Sequence, residues 1–423
     1  MIQLLLGILI FFAFAAFLFP LVKNRAIINN YPALMSAVYL GWALPQVIAL
    51  QFTQIPNFGL ESLCLIMILS LIAAVLGKNL AEKKWISYGI NSSSSIGQLI
   101  NIYAFVYLIS GSYFYLQVSR LSEEATLLYG GFWTGAITIY AFLSKLLSIG
   151  FVMSVISYLR GSSWINVSFI LYGLTFYLNR IVIHGRRAEL IELAMIGLYF
   201  YFIKNRKSIG SKSTIFLVFC AALFVNNAGE YRNATSQLYE EKSVGEMFSA
   251  VLEIQFLDNF LNIASGTIDS SEIRNAAMNL AAVNSTLNLD YGLSLWNTAI
   301  KQFVPGQIIG HELKDSLLFT DFSQETRDLF LYESHPGSTQ TGFSDAYRSF
   351  WILGFFKFFF ISYLLTLFIR RSLAGDDYSK IYLVLTVVAS LQAVTHSTDQ
   401  FFVQIVIIFI FLLPVRIHSR RRI

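Results

Sequence analysis

The sequence predicts an all-α polytopic membrane protein. Of its 423 residues, 56% are hydrophobic and only 13% are charged, whereas a soluble domain carries about 25% charged residues. Apolar runs of about 20 residues, the length that crosses roughly 30 Å of hydrocarbon, recur along the chain. The net charge of +5 therefore does not indicate a nucleic-acid partner, because basic residues of membrane proteins mark the cytoplasmic face. Cys64 and Cys220 both fall in apolar runs, so no disulfide framework is expected.

We expect about eleven transmembrane helices and one large outer loop domain, periplasmic or extracellular. The expected spans lie at about 2–22, 32–51, 58–77, 97–117, 127–148, 164–183, 188–203, 213–227, 349–369, 380–396 and 400–417. Residues 1–227 then hold helices 1–8, residues 228–347 form the loop domain, and residues 348–423 hold helices 9–11 and a basic tail. The eighth span is the shortest, and residues 149–160 extend the fifth as a long or bent helix.

The positive-inside rule orients these spans. Lys23 and Arg25 follow the first span and no basic residue precedes it, so we expect a retained helix with its N-terminus outside. The loops that this places inside, and the tail, are basic at Lys78, Lys83, Lys84, Arg160, Lys204, Arg206, Lys207, Lys212, Arg370, Arg371, Arg416, Arg420, Arg421 and Arg422. The segment 228–347, placed outside, contains sixteen Asp or Glu residues against six Lys or Arg.

One outer turn breaks this rule. The arginine turn, residues 179–187, carries Arg180, Arg186 and Arg187 with His184 among them, and Glu189 follows. The cations could pair with the acidic outer loop or reach the lipid headgroups. An anionic ligand is the third explanation, because the guanidinium fork binds phosphate oxygens in pairs and keeps its charge at any relevant pH.

A second polar cluster precedes the ninth span. It runs from Glu333 to Arg348 and includes His335 and Asp345. Pro336-Gly337 predicts a turn that holds His335 on a loop. A single histidine is more often structural than catalytic, and polar caps of helices have a similar composition. His396, at the outer ends of spans ten and eleven, is a candidate for the same cavity.

The sequence contains neither a nucleotide-binding nor a zinc-protease signature. It has no Walker loop, Gly-rich dinucleotide fingerprint or HExxH motif, and no acidic pair in the outer loop has the spacing of a metal site. We therefore expect no cofactor and no metal, and a reaction driven by the substrate itself. Within the loop domain, Ser270 to Leu287 predicts a helix.

Several motifs resemble those of bacterial oligosaccharide repeat-unit polymerases, the Wzy-type or O-antigen polymerase-like family. They are the arginine turn leading into Arg187-Ala-Glu-Leu, Tyr291-Gly-Leu-Ser-Leu, Phe303-Val-Pro-Gly-Gln-Ile-Ile-Gly-His-Glu-Leu-Lys314 and Thr341-Gly-Phe-Ser-Asp-Ala-Tyr-Arg348 before an aromatic span. Pro305-Gly306 stands where many members have Pro-Arg, which removes one possible phosphate ligand. The resemblance implies a GT-C-like fold and a location in the bacterial cytoplasmic membrane.

The resemblance also implies the reaction. A glycan on undecaprenyl pyrophosphate would be transferred to the non-reducing end of a second lipid-linked glycan, building O-antigen or capsule. The implied partners are a lipid-linked donor and acceptor, membrane lipids and a chain-length regulator. Cations would stabilise the charge that develops on pyrophosphate. For this reaction we expect Arg187 and a base among His335, Glu333, Asp345 and Glu189 as catalytic residues, and Arg180, Arg186, Arg348, His184, Glu189 and His396 as substrate-binding residues.

Three other functions stay open. An O-antigen ligase uses the same donor on the same architecture, so the fold does not separate the two enzymes. A flippase or transporter of lipid-linked saccharides also needs cations, and inverted repeats or mid-span breaks favour it. The sequence shows no convincing repeat, and the expected fifth span places Lys145 near the inner end of its helix. A purely structural scaffold leaves the arginine turn unexplained.

Overall fold

The computed structural model describes the chain with gaps. The described residues are 1–23, 27–51, 57–84, 97–128, 136–161, 163–183, 187–205, 210–227, 254–255, 257–258, 271–304, 306–319, 325–334 and 339–420. Within these ranges the secondary structure is helical and no strand occurs. The prediction of an all-α polytopic membrane protein is confirmed at this level.

The helices are numbered in chain order. They are α1 (Ile2–Val22), α2 (Tyr31–Val38), α3 (Leu44–Leu50), α4 (Asn57–Lys83), α5 (Gly97–Leu128), α6 (Ala136–Leu143), α7 (Leu146–Arg160), α8 (Trp164–Leu178), α9 (Arg187–Asn205), α10 (Ser211–Asn226), α11 (Ser271–Thr286), α12 (Leu293–Phe303), α13 (Gly306–Ile309), α14 (His311–Ser316), α15 (Glu325–Phe330), α16 (Gly342–Phe350), α17 (Phe356–Leu373), α18 (Asp377–Thr395) and α19 (Asp399–Arg420). Tyr39–Ala43 and Asn179–Ile183 are π-helical.

Nine helical segments in the described part of the chain are long and apolar enough to cross a membrane. They are Ile2–Val22, Tyr31–Leu50, Gly59–Lys83, Leu99–Leu121, Ala136–Arg160, Trp164–Val182, Gly342–Leu373, Asp377–Thr395 and Asp399–Ser419. They correspond to nine of the eleven expected spans. Helices α9 and α10 form where the other two were expected, but α10 has only 16 residues and α9 carries Arg187, Glu189, Glu192 and Lys204, more charge than a lipid-facing helix usually holds.

The fifth span differs from its prediction. It runs from Ala136 to Arg160, not over 127–148, and it breaks at Ser144 and Lys145, where two turn residues separate α6 from α7. Lys145 therefore lies in the middle of the span, and its expected place near the inner end was wrong. The apolar run continues to Leu159, so a single lysine within it marks a local break and not a membrane boundary.

Glycines allow the closest helix contacts of the bundle. A Cβ atom at Gly77 of α4 would lie 2.3 Å from the carbonyl oxygen of Phe359 in α17, and one at Gly111 of α5 would lie 2.2 Å from the backbone nitrogen of Leu147 in α7. Small residues at such points let membrane helices approach backbone to backbone. The helix pairs α4–α17 and α5–α7 are therefore packed backbone to backbone at these points.

The two ends of the bundle differ in charge. At the end that we call the basic end, Arg370 donates to the carbonyls of Ala81 and Lys84 at 2.5 and 2.6 Å, and Arg160 pairs with Asp377. The opposite end, where α4 and α19 begin, is called the loop end. Under the positive-inside rule the basic end would face the cytoplasm, and this orientation stays a prediction.

Helix α11 is built into the loop end. Its predicted range of 270–287 is confirmed within a residue. Asn284 donates to Ser62 of α4 at 2.8 Å, and a Cβ atom at Gly59 would lie 2.4 Å from the carbonyl oxygen of Ala277. Because α11 packs this tightly on α4, it provides a fixed wall on which the following segments rest.

Helix α12 re-enters the bundle from the loop end. The ring of Phe303, at its last residue, lies 5.9 Å from the ring of Phe142, which in turn lies 5.0 Å from the ring of Phe411. Phe411 is twelve residues into α19, about 18 Å from the start of that helix at a rise of 1.5 Å per residue. The chain then turns back, and Trp296 donates to the carbonyl of Leu317 at 2.9 Å. Residues 293–319 thus form a helical hairpin whose tip reaches the interior of the bundle.

Candidate functional site

A polar cavity of about 400 Å³, called the loop-end cavity, lies between α12, α16 and the link from α18 to α19. Its volume is within the range of small-molecule sites, about 300–1,000 Å³. The lining residues are almost all polar or charged: Asn279, Asp290, Ser294, Asn297, Thr298, Lys301, Thr339, Gln340, Thr341, Ser344, Asp345, Arg348, His396, Ser397 and Asp399.

Helix α12 contributes a polar stripe to this cavity. Ser294, Asn297, Thr298 and Lys301 follow the spacing of one helical face, so all four point to the same side. The turn before the helix is fixed by Asp290, whose side chain accepts from the backbone nitrogen of Gly292 at 2.8 Å. The motif Tyr291-Gly-Leu-Ser-Leu therefore starts the helix that supplies this wall.

Helix α16 supplies the opposite wall through the motif that begins at Thr341. A Cβ atom at Gly342 would lie 1.7 Å from the carbonyl oxygen of Ala393, so only glycine lets α16 approach the end of α18 this closely. That approach brings Asp345 to the link after α18. Its Oδ2 accepts from the backbone nitrogen of Thr398 at 2.8 Å and from Ser397 at 3.2 Å, and Thr398 also donates its hydroxyl.

Asp345, Lys357 and Asp399 form a buried charge cluster beside the cavity, called the Lys357 cluster. Lys357 Nζ lies 2.9 Å from Asp345 Oδ1 and 3.6 Å from Asp399 Oδ1, and it donates to Ser349 at 2.8 Å. The three side chains are 11%, 10% and 4% exposed. Burying a charge without a partner is costly, yet here one ammonium group faces two carboxylates.

Arg348 and His396, both predicted as substrate-binding residues, line the same cavity. Arg348 pairs with Glu325 at 2.9 Å, and Asn288 donates to the same carboxylate at 2.7 Å. His396 Nδ1 lies 2.7 Å from the hydroxyl of Thr395. With Lys301, the lining contains one lysine, one arginine and one histidine.

The arginine turn is placed elsewhere. Arg180 does not line the cavity; its guanidinium lies 4.3 Å from the centre of the Tyr115 ring and 3.8 Å from Glu189 Oε1. Next to this pair, Tyr177 donates to Glu192 at 2.7 Å. Arg180 and Glu189 are therefore brought together with each other and not with Asp345 and Arg348. His184, Arg186 and the side chain of Arg187 lie outside the described residues.

The two remaining candidates for the base are Glu333, which lies away from the cavity, and His335. Glu333 is 70% exposed and lies 3.4 Å from Arg327, and it is not among the lining residues. His335 falls outside the described residues. Of the three candidates for the base whose side chains the structure describes, Glu189, Glu333 and Asp345, Asp345 lines the cavity.

Four charged residues in or beside the cavity were not predicted as site residues: Asp290, Lys301, Lys357 and Asp399. Lys357 stands alone in the aromatic run Phe355-Phe-Lys-Phe-Phe-Phe360, and an ionisable residue inside a span is a functional-site signal by itself. Lys301 could have been found from the spacing of polar residues after Tyr291-Gly292. Asp399 stands three residues after His396, directly before the eleventh expected span.

Comparison with protein-family models, with curated proteins and with solved structures finds no match to this chain. The geometry of the loop-end cavity is therefore the basis on which a function is argued.

Proposed function

We propose that this chain is a glycosyltransferase that joins undecaprenyl-pyrophosphate-linked oligosaccharide repeat units at the outer face of the bacterial cytoplasmic membrane. The observation that carries the proposal is the loop-end cavity, in which carboxylates, cations and neutral hydrogen-bonding groups meet at one end of an apolar bundle. The motif resemblance points to the same reaction. The basic residues at the other end favour an outward-facing cavity.

The neutral lining of the cavity suits a saccharide. Nine of the lining residues are Ser, Thr, Asn or Gln, which both donate and accept hydrogen bonds as sugar hydroxyls require. An apolar ligand would desolvate those of these groups that lack a partner within the protein, at a cost of about 1–3 kcal/mol for each. The polyprenyl chains of both substrates would stay in the bilayer beside the helices.

The charged lining suits transfer from a pyrophosphate. In this reaction an acceptor hydroxyl attacks the anomeric carbon of the donor, a new C–O bond forms, and the bond from that carbon to the pyrophosphate oxygen breaks. The leaving pyrophosphate gains negative charge, which Lys301 and Arg348 are placed to stabilise. The hydroxyl proton passes to a group of the protein, and undecaprenyl pyrophosphate leaves.

The test is an analysis of lipid-linked glycans in cells that lack the protein. A polymerase predicts single repeat units accumulating at the outer face, with polymer restored by the wild-type gene and not by Asp345→Asn. Asp328→Asn, an exposed carboxylate of α15 outside the cavity, is the matched control and should restore polymer. Long lipid-linked chains that never reach their final acceptor would instead identify a ligase.

A transporter of lipid-linked saccharides is a second candidate, because one observation favours it. The span Ala136–Arg160 is irregular at Ser144 and Lys145, where two backbone hydrogen bonds join residues three apart, and irregular or interrupted helices are typical of substrate sites in transporters. Retention of repeat units on the inner face of the deletion strain would support the transporter and contradict the polymerase.

A further inference from the structure

We infer that Asp399 accepts the proton of the attacking hydroxyl, and that Lys357 and Asp345 position it for this step. The inference rests on the proposed function and assigns the base that the sequence left open. It is based on the different surroundings of the two carboxylates that share Lys357.

Asp345 is held as a fixed anion. It accepts from Lys357 Nζ at 2.9 Å, from the backbone nitrogen of Thr398 at 2.8 Å and from Ser397 at 3.2 Å. The hydroxyl of Thr398 donates to it as well. Hydrogen bonds to the charged form favour that form, and a carboxylate with this many donors has little capacity left for a proton.

Asp399 is held by fewer contacts than Asp345. Its Oδ1 lies 3.6 Å from Lys357 Nζ and forms no hydrogen bond within the described part of the chain. The residue is 3% exposed and lines the cavity. It is therefore a buried carboxylate at the cavity, and its Oδ1 accepts no hydrogen bond from the described residues, in contrast to both oxygens of Asp345.

The charge of the Lys357 cluster supports the same assignment. Asp345 and Asp399 carry two negative charges against the single positive charge of Lys357, and all three side chains are largely buried. Uptake of one proton makes the cluster neutral. A proton that moves to Asp399 during the reaction removes the repulsion between two carboxylates that share one ammonium group, and this stabilises it there until the product leaves.

Other charged groups face Asp399 from the elements around it. They are Asp290 before α12, Lys301 on α12, Arg348 on α16 and His396 at the end of α18. Lys301 and Arg348 oppose the two aspartates and are placed for the leaving pyrophosphate. In the complete step, the acceptor oxygen bonds to the anomeric carbon, its proton moves to a carboxylate oxygen of Asp399, and the electron pair of the broken C–O bond goes to pyrophosphate.

The experiment measures kcat and KM of purified protein with lipid-linked oligosaccharide extracted from cells that lack this gene. Asp399→Asn should lower kcat by about 10²–10⁴-fold, the usual contribution of a general base, with KM within about threefold of wild type because binding is retained. Asp399→Glu should recover part of kcat. Asp328→Asn is the control for a carboxylate at the loop end and should match wild type.

Lys357 is tested as a positioning residue through the pH dependence of kcat. Lys357→Met removes the cation that faces Asp399, so the base form of Asp399 should require a higher pH and the acidic limb of the profile should move up by about 1 to 3 pH units. Lys357→Arg keeps the charge and should keep the limb near its original place. A residue with only a structural role would lower the amount of folded protein without moving the limb.

The outcomes separate the two proposals. If wild-type protein does not extend the extracted glycan, the proposed function is wrong. If wild type is active but folded Asp399→Asn keeps a kcat within about threefold of it, the cavity still acts as a transferase site and the assignment of Asp399 is wrong. Loss of kcat in Asp345→Asn alone would then transfer the role of base to Asp345.

Discussion

Two polar regions lie within the same apolar bundle, and their charges are arranged differently. In the described part of the arginine turn, Arg180 packs on Tyr115 beside Glu189, and Tyr177 donates to Glu192. At the loop-end cavity, Lys357 faces two carboxylates and an open volume of about 400 Å³ adjoins them. Buried charges that adjoin an open cavity are typical of a site for chemistry, whereas the contacts of Arg180 and Tyr177 join neighbouring helices.

The largest expected effect comes from a comparison of two glycines, Gly342 at the cavity and Gly197 on α9, the helix that follows the arginine turn. In Gly342→Ala the new methyl group would meet the carbonyl of Ala393, whereas Gly197 of α9 has open space around it. We expect Gly342→Ala to lose polymer formation and to lower the free energy of unfolding by about 1–3 kcal/mol, and Gly197→Ala to do neither. Thermal unfolding and polymer length at matched expression measure both. Normal polymer from Gly342→Ala would show that the contact between α16 and α18 does not set the site.

The second comparison replaces one arginine in each region by lysine. Arg348→Lys keeps the charge but loses the paired donors, so transfer should fall by about tenfold or more. Arg180→Lys should have a smaller effect, because Arg180 packs on Tyr115 and lies beside Glu189. The rate of glycan extension by purified protein measures both variants. A larger loss in Arg180→Lys would reverse the functional ranking of the two regions.

The smallest expected effect concerns Tyr177→Phe. The change removes the hydroxyl that donates to Glu192 at 2.7 Å, and leaving a buried polar group without this partner costs about 1–3 kcal/mol. Unfolding of the purified protein should therefore occur at a lower temperature, while kcat of the folded protein is unchanged. A fall in kcat with no change in stability would give the region around the arginine turn a role in the reaction.

The sequence predicts the spans well and the site in part, for a physical reason. A membrane helix depends on the apolar length of one continuous segment, so hydropathy locates nine of the eleven expected spans. Asp345, Arg348 and His396 could be proposed because they lie in polar segments next to spans. Lys301 and Lys357 carry a signal of their own, the spacing of polar residues after Gly292 and a single lysine within a span, but only tertiary packing shows that both lie at this cavity.

The break at Lys145 illustrates the same limit. Local sequence shows an apolar run with one lysine, and both a helix end and a mid-span turn are compatible with it. Whether the helix ends or turns there depends on its contacts with the facing helix. Here Leu147 of α7 lies directly against Gly111 of α5. Such contacts are made between segments that are far apart in the sequence, and a single sequence does not reveal them.

The most direct test of the central claim is protection of the loop-end cavity by substrate. In a variant lacking Cys64 and Cys220, a cysteine introduced by Thr298→Cys lies on the cavity wall, and one introduced by Asp328→Cys lies at the same end outside it. In intact cells, a membrane-impermeant maleimide should label both, and a cysteine from Lys83→Cys at the basic end should stay unlabelled.

With purified protein, lipid-linked oligosaccharide extracted from cells lacking the gene should slow labelling at position 298 and not at 328. Equal labelling of 298 with and without this glycan would contradict the assignment of the cavity as the transferase site.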